Sequence, residues 1–97
     1  MNMATDLSKS SLTVIPEFYY EVKEKYHEKV IVLVHRGRMI VAYEDDAVAV
    51  REIFNVNEIT VYSLFCVAFP ESRLYDYLPR MIRRGWRVAV AEGITPP

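Results

Sequence analysis

The sequence predicts a mixed α/β (α+β) domain: a mixed β-sheet of four to five strands packed with three helices, in the order α-β-β-α-β(β)-α-β. Three observations carry that expectation. Val30–Val34 is apolar at every position, as a strand covered on both faces should be; a second apolar run pairs back after a break at Arg36-Gly37; and three further segments repeat apolar residues at helical spacing. At 97 residues the chain supports one core and not two.

Residues 1–13 are polar, rich in Ser and Thr and without periodicity, so they are expected to form a flexible arm ahead of a single domain over 14–97. Pro16 suits a first helical turn. Phe18, Val22 and Tyr26 recur at spacing four beside Tyr19, which predicts a helix over Pro16–His27 with Glu21, Lys25 and Glu28 facing water. Val30–Val34 and a second strand, Arg38–Tyr43, make a hairpin around a short turn. Glu44-Asp45-Asp46 then places carboxylates at the positive end of a helix dipole, as a cap for a helix that turns Ala47, Val50, Ile53 and Phe54 inward. Glu58–Phe69 is rich in Ile, Val, Tyr and Phe but exceeds a usual strand, so a bend near Tyr62-Ser63 is expected. Pro70 opens the third helix, with Leu74, Leu78, Met81 and Ile82 as its inward stripe and Gly85 as its stop. Pro79 inside that pattern removes one backbone donor and predicts a kink or a break. Arg87–Glu92 is the last strand.

Composition excludes several classes. An apolar fraction of 52% with 3 Gly and 5 Pro is that of a folding chain and not of a disordered one. No apolar run reaches the roughly 20 residues that a bilayer needs, and Met1–Ser10 lacks a signal-peptide core, so a soluble protein of the reducing cytoplasm is expected. The lone Cys66, beside Phe65 and Val67, reads as a packed thiol, with no intrachain disulfide and no multi-Cys zinc site. The formal charge of −1 gives no overall attraction to polyanions. Its distribution is uneven: Glu71–Arg87 carries five Arg against two acidic residues, whereas Glu17–Lys29 has four Glu against three Lys.

Catalytic and metal patterns find little purchase. His27 and His35 have no Cys, His or carboxylate at ligand spacing and read as surface or loop residues. Glu44-Asp45-Asp46 is more simply a cap than a magnesium site. Glu21-Val22-Lys23 matches half of a nuclease E-x-K signature but falls on a helix where a strand is required. No phosphate-binding loop exists, no Ser or Cys has a partnered His, and three glycines cannot build a dinucleotide cradle. The basic features are the turn His35-Arg36-Gly37-Arg38 and the outward face of the third helix, with Arg73, Arg80, Arg83 and Arg84. These can grip phosphates; otherwise they are a solvated face on which Asp76 pairs with Arg80 four residues on.

Three stretches fall on the spacing of one known family. Gly37-Arg38-Met39-Ile40-Val41-Ala42-Tyr43-Glu44-Asp45-Asp46-Ala47 fits the family's G-D-F-Y-E-L-F-x-D-D-A without a gap, keeping the Gly, an aromatic at Tyr43 and the D-D-A. Pro70, Tyr77-Leu78, Met81-Ile82, Gly85, Val88-Ala89-Val90 and Glu92 fall on the spacing of G-V-P-x-H-x-x-x-x-Y-L-x-x-L-V-x-x-G-x-x-V-A-I-x-E-Q. Tyr19, Lys23 and Tyr26 repeat the Y-x-x-x-K-x-x-Y of the first helix, so over about residues 16–93 the chain resembles the N-terminal mismatch-recognition domain (domain I) of the MutS DNA mismatch repair family. The family wedges a Phe beside a mispaired base and hydrogen-bonds that base with a Glu two positions on; those positions are Met39 and Val41 here, and Val41 has neither donor nor acceptor. Ser72 stands where the family has His, and Gly93 where it has Gln.

The resemblance implies a stand-alone, diverged copy of the domain, without the family's ATPase. The expected function is a non-enzymatic DNA-binding module that uses no cofactor and binds duplex DNA through Arg36, Gly37, Arg38, Met39, Val41, Arg80, Arg83 and Arg84. Binding is expected to be weak and without mismatch selectivity. The alternative is a protein-interaction or adaptor domain that retains the fold only. Met39, Val41 and Tyr43 share one face of their strand, and exposed together between Arg36 and Arg38 they would suit a homodimer or another protein partner.

Overall fold

In the computed structural model, which describes residues 12–26 and 29–92, every residue of the apolar run Val30–Val34 is buried. That run opens β1 (Val30–Arg36), which lies inside a five-stranded mixed sheet of order β3-β4-β2-β1-β5. In chain order the elements are α1 (Glu17–Lys25), β1, β2 (Met39–Tyr43), α2 (Glu44–Ile53), β3 (Thr60–Ser63), β4 (Cys66–Pro70), a 3₁₀ turn (Glu71–Arg73), α3 (Leu74–Arg83) and β5 (Arg87–Glu92). β1 runs antiparallel to β2, with Arg36 opposite Met39, and parallel to β5, with Val30 opposite Arg87 and His35 opposite Glu92. β4 pairs antiparallel with both β2 and β3. This is the α+β class and element order that the sequence predicts.

Side-chain alternation divides the core into two layers. Ile31, Leu33, Ile40, Ala42, Val67 and Phe69 face α2 and α3, where Ala47, Val50, Ile53, Tyr77 and Met81 cover them. Val32, Val34, Val41, Tyr43, Cys66 and Ala68 face α1, with Tyr19 buried among them and Phe18 and Val22 packed at its sides. The stripe at helical spacing is therefore what fixes which face each helix turns to the sheet. Among the described residues no helix is long and apolar enough to cross a membrane.

The differences from expectation are local and have physical causes. β1 extends to Arg36 because its pairing with β2 continues to the turn, so that Arg38 belongs to the turn and not to the second strand. The twelve-residue stretch divides into β3 and β4 around Leu64-Phe65, with a register shift between Val61 and Ser63. Pro70 ends β4, and α3 begins only at Leu74. Within α3, Tyr77 joins Met81 as the buried pair with Leu74 and Leu78 beside them, whereas Ile82 is 58% exposed. The spacing 74, 77, 78, 81 keeps one helical face; position 82 lies beyond its edge. α3 runs unbroken through Pro79, which is exposed, so the carbonyl it leaves without a donor is at the water side. Tyr26 ends α1 in an extended conformation and is largely exposed, and His27 and Glu28 lie outside the described residues. The expected arm also lies outside them up to residue 11, but Leu12 is docked: its carbonyl accepts from the Tyr43 hydroxyl at 2.7 Å.

The acidic triplet does more than match a helix dipole. All three residues open α2, and the residue before them, Tyr43, makes no side-chain cap. Asp46 is 2% exposed and accepts from the Tyr19 hydroxyl at 2.7 Å and from Lys23 Nζ at 3.0 Å. Burial pushes its carboxyl above the usual range, against these two donors and the Val32 amide, which hold it down. Lys23, half of the E-x-K pattern, is thereby committed to structure, and it also donates to the Val30 carbonyl at 3.2 Å. Tyr19→Phe keeps the ring contact with Tyr43, at 5.6 Å between centroids, and removes the hydroxyl. It is expected to cost about 1–3 kcal/mol and to lower Tm by roughly 5–15 °C in a domain this size. Thermal unfolding followed by circular dichroism measures it; an unchanged Tm would show that the hydroxyl carries no net stability.

Candidate nucleic-acid interface

The β1–β2 turn is a two-residue loop, Gly37-Arg38, in which Gly37 has φ +61° and Arg38 stays out of the left-handed region. Glycine first and an ordinary residue second is the signature of a type II′ hairpin turn, whose twist matches the flanking strands. The turn is tied from below, because the Arg38 carbonyl accepts from the Glu71 amide at 2.9 Å. The exposed Arg38 side chain makes no ion pair among the described residues. Arg36 behaves differently: its guanidinium donates to the Val14 carbonyl and to the Tyr43 hydroxyl, both at 2.8 Å, folding back over the α1 side of the sheet.

Met39 is half-buried, and Val41 and Tyr43 are buried completely. The three share a face as alternation requires, but Tyr19, Leu12, Ile15 and Phe18 cover that face. This corrects the expectation of an exposed apolar patch between Arg36 and Arg38: the apolar residues are there because α1 needs a floor, and Val41 offers no surface to DNA or to a second copy. Beside the turn, His35 sits between two carboxylates. Nδ1 faces Glu92 at 2.8 Å, and Nε2 is bonded to Glu71. Spacing along the chain hides this group, since β5 and the 3₁₀ turn deliver the carboxylates from residues far away. They lie on opposite ring nitrogens, the arrangement of a clamp and not of a chelate.

The second group of arginines is elsewhere. α3 starts next to Pro70, opposite Met39 at the hairpin end, and finishes just before Arg87, opposite Val30 at the other end of β1. Arg36 and Arg38 are therefore separated from Arg83 and Arg84 by the length of the sheet, and the eight predicted residues do not form one face. Arg80 is held inward as well. It forms a two-pronged pair with Glu58, with Nη2 at 3.1 Å from Oε1, donates to the Ile53 carbonyl, and lies 4.4 Å above the Phe54 ring. The same pair holds the Glu58 carboxyl below the usual range. Asp76 reaches Arg73 at 3.8 Å, so the expected Asp76–Arg80 pair is replaced by one that closes the loop after α2 onto α3. Ile53, Arg80, Arg83 and Arg84 line a recess of about 250 Å³.

A family model described as MutS domain I matches residues 13–97. The chain belongs to that family. DNA mismatch repair proteins named MutS are its relatives: that of Salinibacter ruber is 32% identical over 81 residues, covering 78% of this chain and 9% of the relative. That of Fervidobacterium nodosum is 26% identical over 92 residues (95% and 11%), and that of Phocaeicola vulgatus 30% over 91 residues (89% and 10%). The chain spans about a tenth of the length of these relatives.

Membership gives the conspicuous motif residues of MutS domain I a spatial meaning in this chain. Tyr19 and Lys23 of the first-helix pattern meet Asp46 of the D-D-A in one buried contact, so two of the three stretches that carry the resemblance are structural partners. Tyr77, from the third, donates its hydroxyl to the Glu58 carbonyl at 2.9 Å and packs against Phe54 and Phe69. At the hairpin end, Met39 is half-buried and Val41 is enclosed.

The His35 clamp has a defined pH dependence. A neutral imidazole carries one N–H, so satisfying both carboxylates takes the imidazolium, and the bond to Glu71 above all raises the His35 pKa from its ordinary 6.5. A proton bound more tightly in the folded than in the unfolded chain stabilises the fold below about pH 6.5, and this contribution is lost as pH rises through the folded value. The Tm of the wild type is therefore expected to fall more between pH 6 and pH 9 than that of His35→Gln. Parallel profiles for the two proteins would show that the clamp is not charged.

Proposed function

We propose that this chain is a non-enzymatic DNA-binding module of the MutS domain I type that meets duplex DNA with its hairpin turn, binds weakly and does not select mismatches. The observation that carries the reading is the state of the two reader positions. Met39 offers only part of a thioether and Val41 none of its surface, so no donor or acceptor stands where a base edge would be read. The exposed Arg38, on a turn that Gly37 and the Glu71 amide hold rigid, supports a backbone contact. The module would work in a reducing cytoplasm, where the buried Cys66 needs no partner. Mismatch repair itself is the named activity of the longer relatives, and for this chain a part in it is a proposal.

Binding of this kind belongs near the non-specific range, roughly 10⁻⁴ to 10⁻⁶ M, and weakens steeply with salt through counterion release. Matched and mismatched duplexes titrated at two salt concentrations are expected to give equal affinities that fall together as salt rises. A tenfold preference for the mismatched duplex that disappears in Met39→Ala would overturn the reading. The exposed Leu64 and Phe65 on the β3–β4 turn favour one second reading, a protein-contact domain, which gains if duplex binding is absent and sedimentation shows self-association.

A further inference from the structure

The recess of about 250 Å³ between the end of α2 and the last turns of α3 is walled by Ile53, Arg80, Arg83 and Arg84. Helical spacing brings the arginines together. Positions 80, 83 and 84 are three and four residues apart and fall on one side of α3, the side on which Tyr77 packs against Phe54 at the end of α2. No carboxylate is among the described residues that line the recess.

The three guanidinium groups differ in their freedom. Arg80 is fixed: Glu58 grips it with both carboxylate oxygens, the Ile53 carbonyl accepts from it at 3.3 Å, and the Phe54 and Tyr77 rings lie 4.4 and 5.9 Å from it. Glu58 balances its charge, and N–H groups remain to it, because an arginine carries five. Arg83 and Arg84 are exposed, and their side chains make no ion pair among the described residues. Two uncompensated cations therefore stand beside a third guanidinium held in place. The dipole of α3 offsets part of their mutual repulsion, and a bound anion would relieve the rest.

Charge and shape select the anion. A phosphate monoester carries about −1.5 to −2 charges at pH 7 and three terminal oxygens, which matches two free cations and lets each arginine find its own acceptor. A carboxylate brings one charge and two coplanar oxygens. A backbone phosphodiester also brings one charge, and the sugars on both its sides suit a ridge and not a recess. One water occupies roughly 30 Å³, so the recess has room for a phosphoryl group and bridging water.

We propose that Arg80, Arg83 and Arg84 form a binding site for a phosphate monoester, as borne by a free mononucleotide or by the 5′-phosphorylated end of a DNA strand. Arg83 and Arg84 supply the ion pairs and Arg80 the fixed wall. The site goes beyond the hairpin contact with duplex DNA and does not depend on it, since the length of the sheet separates the two.

Titration calorimetry of the full chain at fixed ionic strength tests the site. Adenosine 5′-monophosphate is expected to bind with a Kd of about 1 mM or tighter, and adenosine not to bind. Arg83→Gln/Arg84→Gln, made at exposed positions and shown to be folded by circular dichroism, is expected to weaken the monophosphate at least tenfold. Lys25→Gln/Arg87→Gln removes as much charge from exposed positions on the α1 side of the sheet and is expected to leave the Kd within twofold. A short single strand with a 5′-phosphate, set against its 5′-hydroxyl twin, identifies the source. A tenfold preference for the phosphorylated strand places the ligand on a DNA end; no preference there, with the mononucleotide still bound, places it on a free nucleotide. If neither phosphate-bearing probe binds better than its phosphate-free twin, or if both double variants lose affinity equally, the inference is overturned. The hairpin reading is untouched by either result, because it stands or falls on the duplex titration.

Discussion

Taking the Asp46 carboxylate out of water obliges the fold to bring donors to it, and those donors set the relation of three elements. A buried carboxylate without partners is far more costly than the contact is worth once made, so α2 cannot start where it does unless α1 lies across the opposite face of the sheet with Tyr19 and Lys23 aimed at it. The Tyr19 hydroxyl also lies 3.0 Å from the Tyr43 carbonyl, the last of β2, and Tyr43 in turn reaches Leu12 and Arg36. A single contact thus couples the sheet's two faces where hydrophobic burial alone, being non-directional, would let α1 slide. The apolar filling at Met39, Val41 and Tyr43 follows from it. With α1 fixed there, those positions become floor and not surface.

The placement of charge follows from topology in a similar way. The parallel β1–β5 pair requires a crossover, and α3 supplies it by running back along the sheet. Basic residues that are close in sequence to α3's C-terminus are therefore carried to the far end from the hairpin. A chain with a net charge of −1 ends up with cations at both poles, one pair partly spent on folding and one set directed to solvent.

Much of this architecture was legible in the residues. The run Val30–Val34, the turn glycine and the stripes in three helices fixed element order and, through period-two alternation, the two core layers. What stayed hidden depends on who meets whom. His35 looked unpartnered because Glu71 and Glu92 arrive from a crossover and a parallel strand. For Arg80 a helical wheel offers Asp76 and cannot show Glu58. The burial of Val41 is hidden for a subtler reason: strand alternation says which residues share a face, but whether that face is open depends on where α1 lands.

The parallel pair also sets an order of events for the nascent chain. β1 and β2 are joined by a two-residue turn and can pair at once, whereas His35 and Glu92 are 57 residues apart. Until β5 arrives, β1 presents an unpaired edge of five consecutive apolar residues, the kind of edge that templates pairing with other chains. A strand that is synthesised well after β1 thus seals the apolar edge of β1. The charged residues at its two ends, Arg87 and Glu92, help keep the new outer edge from becoming a template in its place.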